Sequence, residues 1–77
     1  MIVYGSKQCP DTMACLSFFS GSAVPCEFRD ISDLTALKEF LRYRDTIPMF
    51  DSVKARGGVG IPFIVKDSGE FTFEWTE

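Results

Sequence analysis

Cys9 is the residue in this sequence whose type and position best suit chemistry. It lies in the segment SKQCPDTMAC, which follows a short apolar run at residues 1–4 and precedes a stretch that predicts a helix. Pro10 suits the first helical position, because the N–H that proline lacks would have no partner within the helix. The N–H groups at a helix start attract negative charge, and the thiolate is the form of cysteine that attacks. We therefore predict that Cys9 is a nucleophile.

Two neighbours of Cys9 bear on this prediction. Lys7 carries a positive charge two residues earlier and favours the thiolate, whereas Asp11, in the first helical turn, competes for the same N–H groups. A simpler reading of each residue stays open. An isolated cysteine is often buried and inert, and Lys7 is equally explained as a solvated surface charge.

The other two cysteines, Cys15 and Cys26, are predicted to pack in the core. Along a helix Cys15 would lie about 9 Å from Cys9, beyond the reach of roughly 7 Å between Cα atoms that a disulfide allows. Thr12 is the position that could reach Cys9, but its hydroxyl cannot close a disulfide. The chain has no histidine and no paired cysteine spacing, so we expect no metal.

Composition limits the class of protein. The 77 residues suffice for one domain, 1–77, and their 45% hydrophobic and 14% aromatic content predicts a packed core. A net charge of -3 argues against nucleic acid as a partner. No apolar run is long enough to cross a membrane, and no basic segment precedes Ile2, so the expected location is cytoplasmic.

Hydrophobic periodicity and breaker residues predict the element order β-α-β-α-α-β-β. The predicted strands cover residues 2–4, 24–30, 63–65 and 71–76, and the helices cover 10–20, 34–44 and 48–56. The first strand is apolar on both faces and should be central, while Pro25 places the second at an edge. The first β-α-β unit should pair its strands in parallel, and residues 67–69 should form the turn of an antiparallel hairpin. The chain should therefore be an α/β protein with a four-stranded mixed sheet and flanking helices.

The same patterns predict which side chains face the core. Ser32 or Asp33 should cap the second helix. The predicted inward positions are Cys15, Leu16, Phe18 and Phe19 in the first helix, Leu34, Leu37, Phe40 and Leu41 in the second, Phe50 and Val53 in the third, Val24, Cys26 and Phe28 in the second strand, and Phe71, Phe73 and Trp75 in the last strand.

Three motifs together resemble those of the thioredoxin superfamily. They are CPDT at residues 9–12, Asp30-Ile31 after the second strand, and GIP at residues 60–62 opening the third strand. Within that superfamily they are most similar to the glutaredoxin branch, particularly its small glutaredoxin-related bacterial members. The resemblance implies a thioredoxin-like fold over nearly the whole chain, lacking the usual C-terminal helix. It also implies a cis Ile61–Pro62 bond facing Cys9, which sequence physics alone does not predict, since only about 5–6% of such bonds are cis.

The resemblance further implies thiol–disulfide exchange with Cys9 as the catalytic residue. The positions implied to bind glutathione or substrate are Lys7, Pro10, Thr12, Ile61 and Pro62. The backbone of Ile61 would pair with the bound glutathione or peptide. Because Thr12 stands where dithiol members have a second cysteine, exchange would proceed through one thiol.

The partners implied are glutathione as co-substrate, or another low-molecular-weight thiol, and proteins that carry disulfides. We expect a monomer with no nucleic-acid or membrane partner. Two alternatives stay open: a [2Fe–2S] cluster shared between two subunits with the help of glutathione, and a redox-inert domain that binds a partner.

Overall fold

The computed structural model describes residues 1–22 and 25–75 and has an α/β architecture. Its elements are β1 (Ile2–Gly5), α1 (Pro10–Ser20), β2 (Glu27–Asp30), α2 (Leu34–Thr46), a 3-10 helix (Pro48–Phe50), α3 (Asp51–Ala55), β3 (Phe63–Val65) and β4 (Phe71–Thr72). The predicted order of strands and helices is confirmed. The predicted strand positions of Val24 and Thr76 fall outside the described residues.

The four strands form one mixed sheet in the order β2-β1-β3-β4. β1 pairs with β2 in parallel and with β3 antiparallel, and β3 pairs antiparallel with β4. The central position of β1 and the edge position of β2 are as predicted. The hairpin between β3 and β4 is closed by Gly69, whose φ of +90° suits glycine and whose N–H donates to the carbonyl of Lys66.

The register of the sheet brings three loops to one end. Gly5 lies opposite Asp30 in the parallel pair, and Tyr4 lies opposite Phe63 in the antiparallel pair. The N–H of Ile31 extends the first ladder with a 2.9 Å hydrogen bond to the carbonyl of Gly5. The segment after β1, the segment after β2 and the segment before β3 therefore meet at this end of the sheet, which we call the Cys9 end.

The sheet carries a hydrophobic cluster on each face, because successive strand residues point to opposite sides. One cluster is aromatic and includes residues of α2 and of the 3-10 helix; its buried members are Tyr4, Phe40, Phe50 and Phe63. The other packs against α1; its buried members are Val3, Cys15 and Ile64. The inward positions predicted for Phe50 and Val53 are confirmed, since both are buried.

Helix α2 begins as predicted, and the inward position predicted for Phe40 is confirmed, but two other predicted inward positions are exposed. Asp33 caps it, its carboxylate accepting a 3.1 Å hydrogen bond from the N–H of Ala36. Leu34 and Leu41, predicted to face the core, are 63% and 37% exposed, so that prediction was wrong. The buried residues of α2 are Ala36 and Phe40. The aromatic cluster sets the helix rotation, since the ring of Phe40 contacts those of Tyr4, Phe50 and Phe63.

Helix α1 also departs from the predicted face at one position. Phe18 is 47% exposed rather than inward, although it still contacts the ring of Phe19 edge to face at 5.4 Å. The buried residues of α1 are Thr12 and Cys15. The buried face of α1 is therefore centred on Thr12 and Cys15, and Phe18 lies at its margin.

Strand β4 is shorter than predicted, and its aromatic residues do not share one face. The hydroxyl oxygen of Thr72 accepts a 3.0 Å hydrogen bond from the N–H of Glu74, which turns the chain out of the ladder. Phe73 then packs edge to face on Phe50 at 5.1 Å, whereas Trp75 joins the cluster on the opposite face. The strand therefore ends at Thr72, and the predicted alternation holds for Phe71 and Phe73, which both contact Phe63, but not for Trp75.

Candidate active site

Cys9 is the N-cap residue of α1. Its backbone is extended, with φ −95° and ψ 119°, and its carbonyl accepts the first helical hydrogen bond from the N–H of Met13 at 3.1 Å. Pro10 occupies the start of the helix and is exposed. Cys9 is partly exposed, which excludes the alternative that it is fully buried.

The first turn of α1 leaves hydrogen-bond donors beside Cys9. Pro10 has no N–H, and within the described chain the N–H groups of Asp11 and Thr12 find no acceptor. The side chain of Cys9 does not cap the helix in this state. Two backbone donors are thus available where a negative charge on the sulfur would be stabilised.

The turn from β1 to α1 is fixed by local hydrogen bonds. The N–H of Cys9 donates to the carbonyl of Ser6 at 2.9 Å, and the N–H of Gln8 donates to the hydroxyl of Ser6 at 3.1 Å. The N–H of Ser6 points to the hydroxyl of Thr12 at 3.4 Å. Cys9 is therefore held in place by the end of β1 and by the helix that it begins.

Thr12 supports this turn from below and is fully buried. A Cβ added to Gly5 would lie 2.6 Å from both Cγ2 and Oγ1 of Thr12, so the two residues are packed as closely as glycine allows. The sequence reasoning did not find this contact, because no local pattern pairs residues seven positions apart across a turn. Thr12 lies beneath the site rather than on its surface. Its side chain is therefore not exposed for the substrate contact that the resemblance implied.

The contact between Gly5 and Thr12 yields a stability prediction. Gly5→Ala is expected to lower the free energy of unfolding by about 1–3 kcal/mol, because the new methyl group overpacks against Thr12. Urea unfolding measures the change. Gly21→Ala is the matched control, since its nearest neighbour would be 3.9 Å away. The double variant Gly5→Ala/Thr12→Ala should recover part of the loss; no recovery would contradict the assigned contact.

Lys7 and Asp30 place opposite charges at the Cys9 end. Lys7 is exposed, and Asp30 closes β2 opposite Gly5. Hydrogen bonds from Ser32, the backbone one at 2.9 Å, lower the pKa of Asp30, and the charge of Lys7 lowers it further. The charge of Lys7 therefore acts on Asp30 at the Cys9 end of the sheet.

The segment that enters β3 completes the site. Since Phe63 lies opposite Tyr4, continuing the antiparallel register places Pro62 beside Gly5. The Ile61–Pro62 bond is cis, as the family resemblance implied. Pro62 is buried and Ile61 is partly exposed. Among residues 1–22 and 25–75, neither the N–H nor the carbonyl of Ile61 has a hydrogen-bond partner.

Cys15 and Cys26 lie on the face of the sheet that packs against α1, away from this arrangement. Cys15 is fully buried against Val3 and Ile64, and burial raises the pKa of its thiol to about 11. Cys26 is partly buried beside the same cluster, and burial also raises the pKa of its thiol. Their predicted role in packing is confirmed.

Alkylation of the native protein should distinguish the three thiols. At pH 8 iodoacetamide is expected to label Cys9 first and to leave Cys15 unlabelled, because a thiol with a pKa of about 11 is thiolate in only about one part in a thousand at that pH. Raising the pH toward 10 should increase the labelling of Cys26 and then of Cys15. Mass spectrometry after brief exposure checks the order, and early labelling of Cys15 in folded protein would contradict it.

A groove with a volume of about 400 Å³ lies elsewhere on the described chain. It is bounded by the C-terminal half of α1 and by β3, and its apolar lining includes Phe18, Phe19, Ile64 and Trp75.

The described part of the chain contains no cluster of three or more His, Cys, Asp or Glu side chains arranged for a metal ion. No helix among the described residues is long and apolar enough to span a membrane.

Comparison with known proteins identifies a relative. No protein-family model matches the chain, and no solved structure matches it. A protein of Haemophilus influenzae, described as an uncharacterized protein, is 31% identical over 74 residues, which is 95% of this chain and 86% of that protein. The chain therefore belongs to the same protein family as this Haemophilus influenzae protein.

Proposed function

We propose that this protein is a monothiol thiol–disulfide oxidoreductase with a thioredoxin-like fold of the glutaredoxin type. The observation that carries the proposal is the position of Cys9, partly exposed at the start of α1 beside two backbone N–H groups without acceptors. A thiolate there would accept hydrogen bonds from these N–H groups and could reach a substrate in solvent. The order and pairing of the strands also agree with this type of fold.

The proposed reaction moves two electrons in two exchanges. The thiolate of Cys9 attacks the glutathione sulfur of a glutathionylated protein, so that a bond from Cys9 to glutathione forms and the protein leaves as a thiolate that takes up a proton. A second glutathione thiolate then attacks this mixed disulfide and releases Cys9 with oxidised glutathione. Glutathione supplies the electrons, and another low-molecular-weight thiol would serve in the same way.

A single thiol suffices for this cycle. Thr12 has no sulfur and is buried, and Cys15 is fully buried on the face of the sheet that packs against α1. Neither residue is placed to resolve the mixed disulfide on Cys9. Resolution therefore comes from a thiol in solution, and the expected kinetics are first order in glutathione at low concentration.

Other residues at the Cys9 end supply binding contacts in this proposal. The N–H and carbonyl of Ile61, which have no partner in the described chain, would pair with the backbone of the glutathione moiety or of a peptide. Lys7 is exposed and would attract a carboxylate of glutathione. Pro10 and Pro62 shape the two sides of the site, and Thr12 acts from beneath by holding the turn.

The test is a catalysed deglutathionylation assay. A peptide carrying one glutathionylated cysteine is mixed with reduced glutathione, with and without the protein, and release of free peptide is followed by chromatography. The proposal predicts that the protein accelerates release at micromolar concentration with turnover of many peptides per molecule. A rate no greater than that given by an equal concentration of free cysteine would contradict the proposal.

A further inference from the structure

We infer that Arg44 is a positioning residue for the strand-like contact at Ile61 and sets the preference for peptide disulfides over small ones. This inference rests on the proposed function, because it concerns how the same site recognises its substrate. Arg44 lies in the last turn of α2, far from Cys9 in sequence, and it is partly buried.

The guanidinium of Arg44 holds two consecutive backbone carbonyls ahead of Ile61. Its Nε donates to the carbonyl of Val59 at 3.0 Å, and its Nη2 donates to the carbonyl of Gly58 at 2.8 Å. The planar guanidinium offers both donors in a fixed fork, so it fixes the orientation of the peptide groups as well as their position.

The rest of this segment has few other restraints. The N–H of Gly58 donates to the carbonyl of Val53 at 2.8 Å, which anchors the segment to α3. Gly60 has a φ of +95°, and a Cβ there would lie 2.7 Å from the ring of Phe50, so it sits directly against the aromatic cluster. The sheet ladder resumes only at Phe63.

Contacts at both ends of the segment fix the position of Ile61. The ladder at Phe63 fixes one end of the segment, and Arg44 fixes the carbonyls at the other. Without Arg44 the two carbonyls are free to rotate toward solvent, and the N–H and carbonyl of Ile61 lose their fixed direction. A substrate that pairs with the backbone of Ile61 would then bind more weakly, whereas a small disulfide that meets only the sulfur of Cys9 would not.

The experiment compares two substrates across three variants. The substrates are a glutathionylated peptide, assayed with glutathione as reductant, and 2-hydroxyethyl disulfide, assayed with dithiothreitol as reductant so that no glutathione moiety is present in the second assay. The variants are Arg44→Ala, Arg44→Lys and, as control, Arg42→Ala, which removes an exposed charge from the same helix. Circular dichroism and the thermal midpoint show that each variant is folded.

For Arg44→Ala we expect KM for the peptide to rise about tenfold with kcat within about twofold of the wild type, while kcat/KM for 2-hydroxyethyl disulfide stays within about twofold. Arg44→Lys should recover only part of the loss, because an ammonium cannot reproduce the fork. Arg42→Ala should behave as the wild type. Equal losses on both substrates, or full recovery by lysine, would overturn the inference.

A second measurement separates this inference from the proposed function. Backbone order parameters from ¹⁵N relaxation should fall at Val59, Gly60 and Ile61 in Arg44→Ala but not at Val3 or Ile64. Unchanged values in the segment would overturn the positioning role whatever the activity. If the wild type turns over neither substrate, the proposed function fails, and the inferred substrate preference fails with it.

Discussion

Cys9→Ser is expected to reduce catalysed deglutathionylation to the uncatalysed background, a loss of at least about a hundredfold. A serine hydroxyl is not ionised near neutral pH and cannot form the mixed disulfide through which exchange proceeds. Cys9 is only partly exposed and makes no side-chain hydrogen bond as a cap, so the substitution should leave the fold intact. The release of peptide, followed as above, gives the rate, and circular dichroism confirms folding.

The other cysteines provide the controls for Cys9→Ser. Cys15→Ala keeps an apolar group in the core, and Cys26→Ser changes a partly exposed position. Both variants should retain most of the activity of the wild type, since neither thiol is at the Cys9 end of the sheet. If folded Cys15→Ala is as inactive as Cys9→Ser, the single-thiol cycle is wrong and Cys15 takes part in the reaction.

Phe63→Ala is expected to have the largest effect on stability, lowering the free energy of unfolding by about 3–5 kcal/mol. Phe63 is fully buried at the centre of the aromatic cluster, with its ring 4.9 Å from that of Phe50 and 6.2 Å from that of Tyr4. Domains of this size have a small free energy and a small entropy of unfolding, so the thermal midpoint should fall by at least about 12 °C. Urea and thermal unfolding measure both quantities.

Phe71→Ala is the matched control for Phe63→Ala. Phe71 stacks on the ring of Phe63 at 5.6 Å but lies on the edge strand and is 39% exposed. Its loss should cost about 1 kcal/mol or less. Equal destabilisation by the two variants would contradict the assignment of Phe63 as the centre of the core.

The elements closest to Cys9 were the most predictable from sequence. Proline marks the first residue of α1, and Gly21 follows its last residue, so the bounds 10–20 follow from local rules alone. Asp33 was one of two predicted caps for α2, and the buried run 63–65 was predicted as a strand at its observed bounds. These features depend on residues adjacent in the chain, which is why a pattern detects them.

The features that sequence reasoning missed depend on contacts between distant residues. The rotation of α2 buries Ala36 beside the predicted Phe40 and leaves Leu34 exposed, because Phe40 packs in the aromatic cluster. The packing of Thr12 on Gly5 follows from how α1 settles on the sheet. The two hydrogen bonds of Arg44 span fourteen and fifteen positions of sequence and have no periodic signal.

The most direct test of the central claim is to locate the mixed disulfide after the reduced protein reacts with oxidised glutathione. No lysine or arginine lies between Lys7 and Arg29, so all three cysteines fall in one tryptic peptide and fragmentation must assign the modified one. The account predicts one glutathione per chain, attached to Cys9. No adduct under conditions that modify free cysteine, or an adduct found only on Cys26, would contradict it.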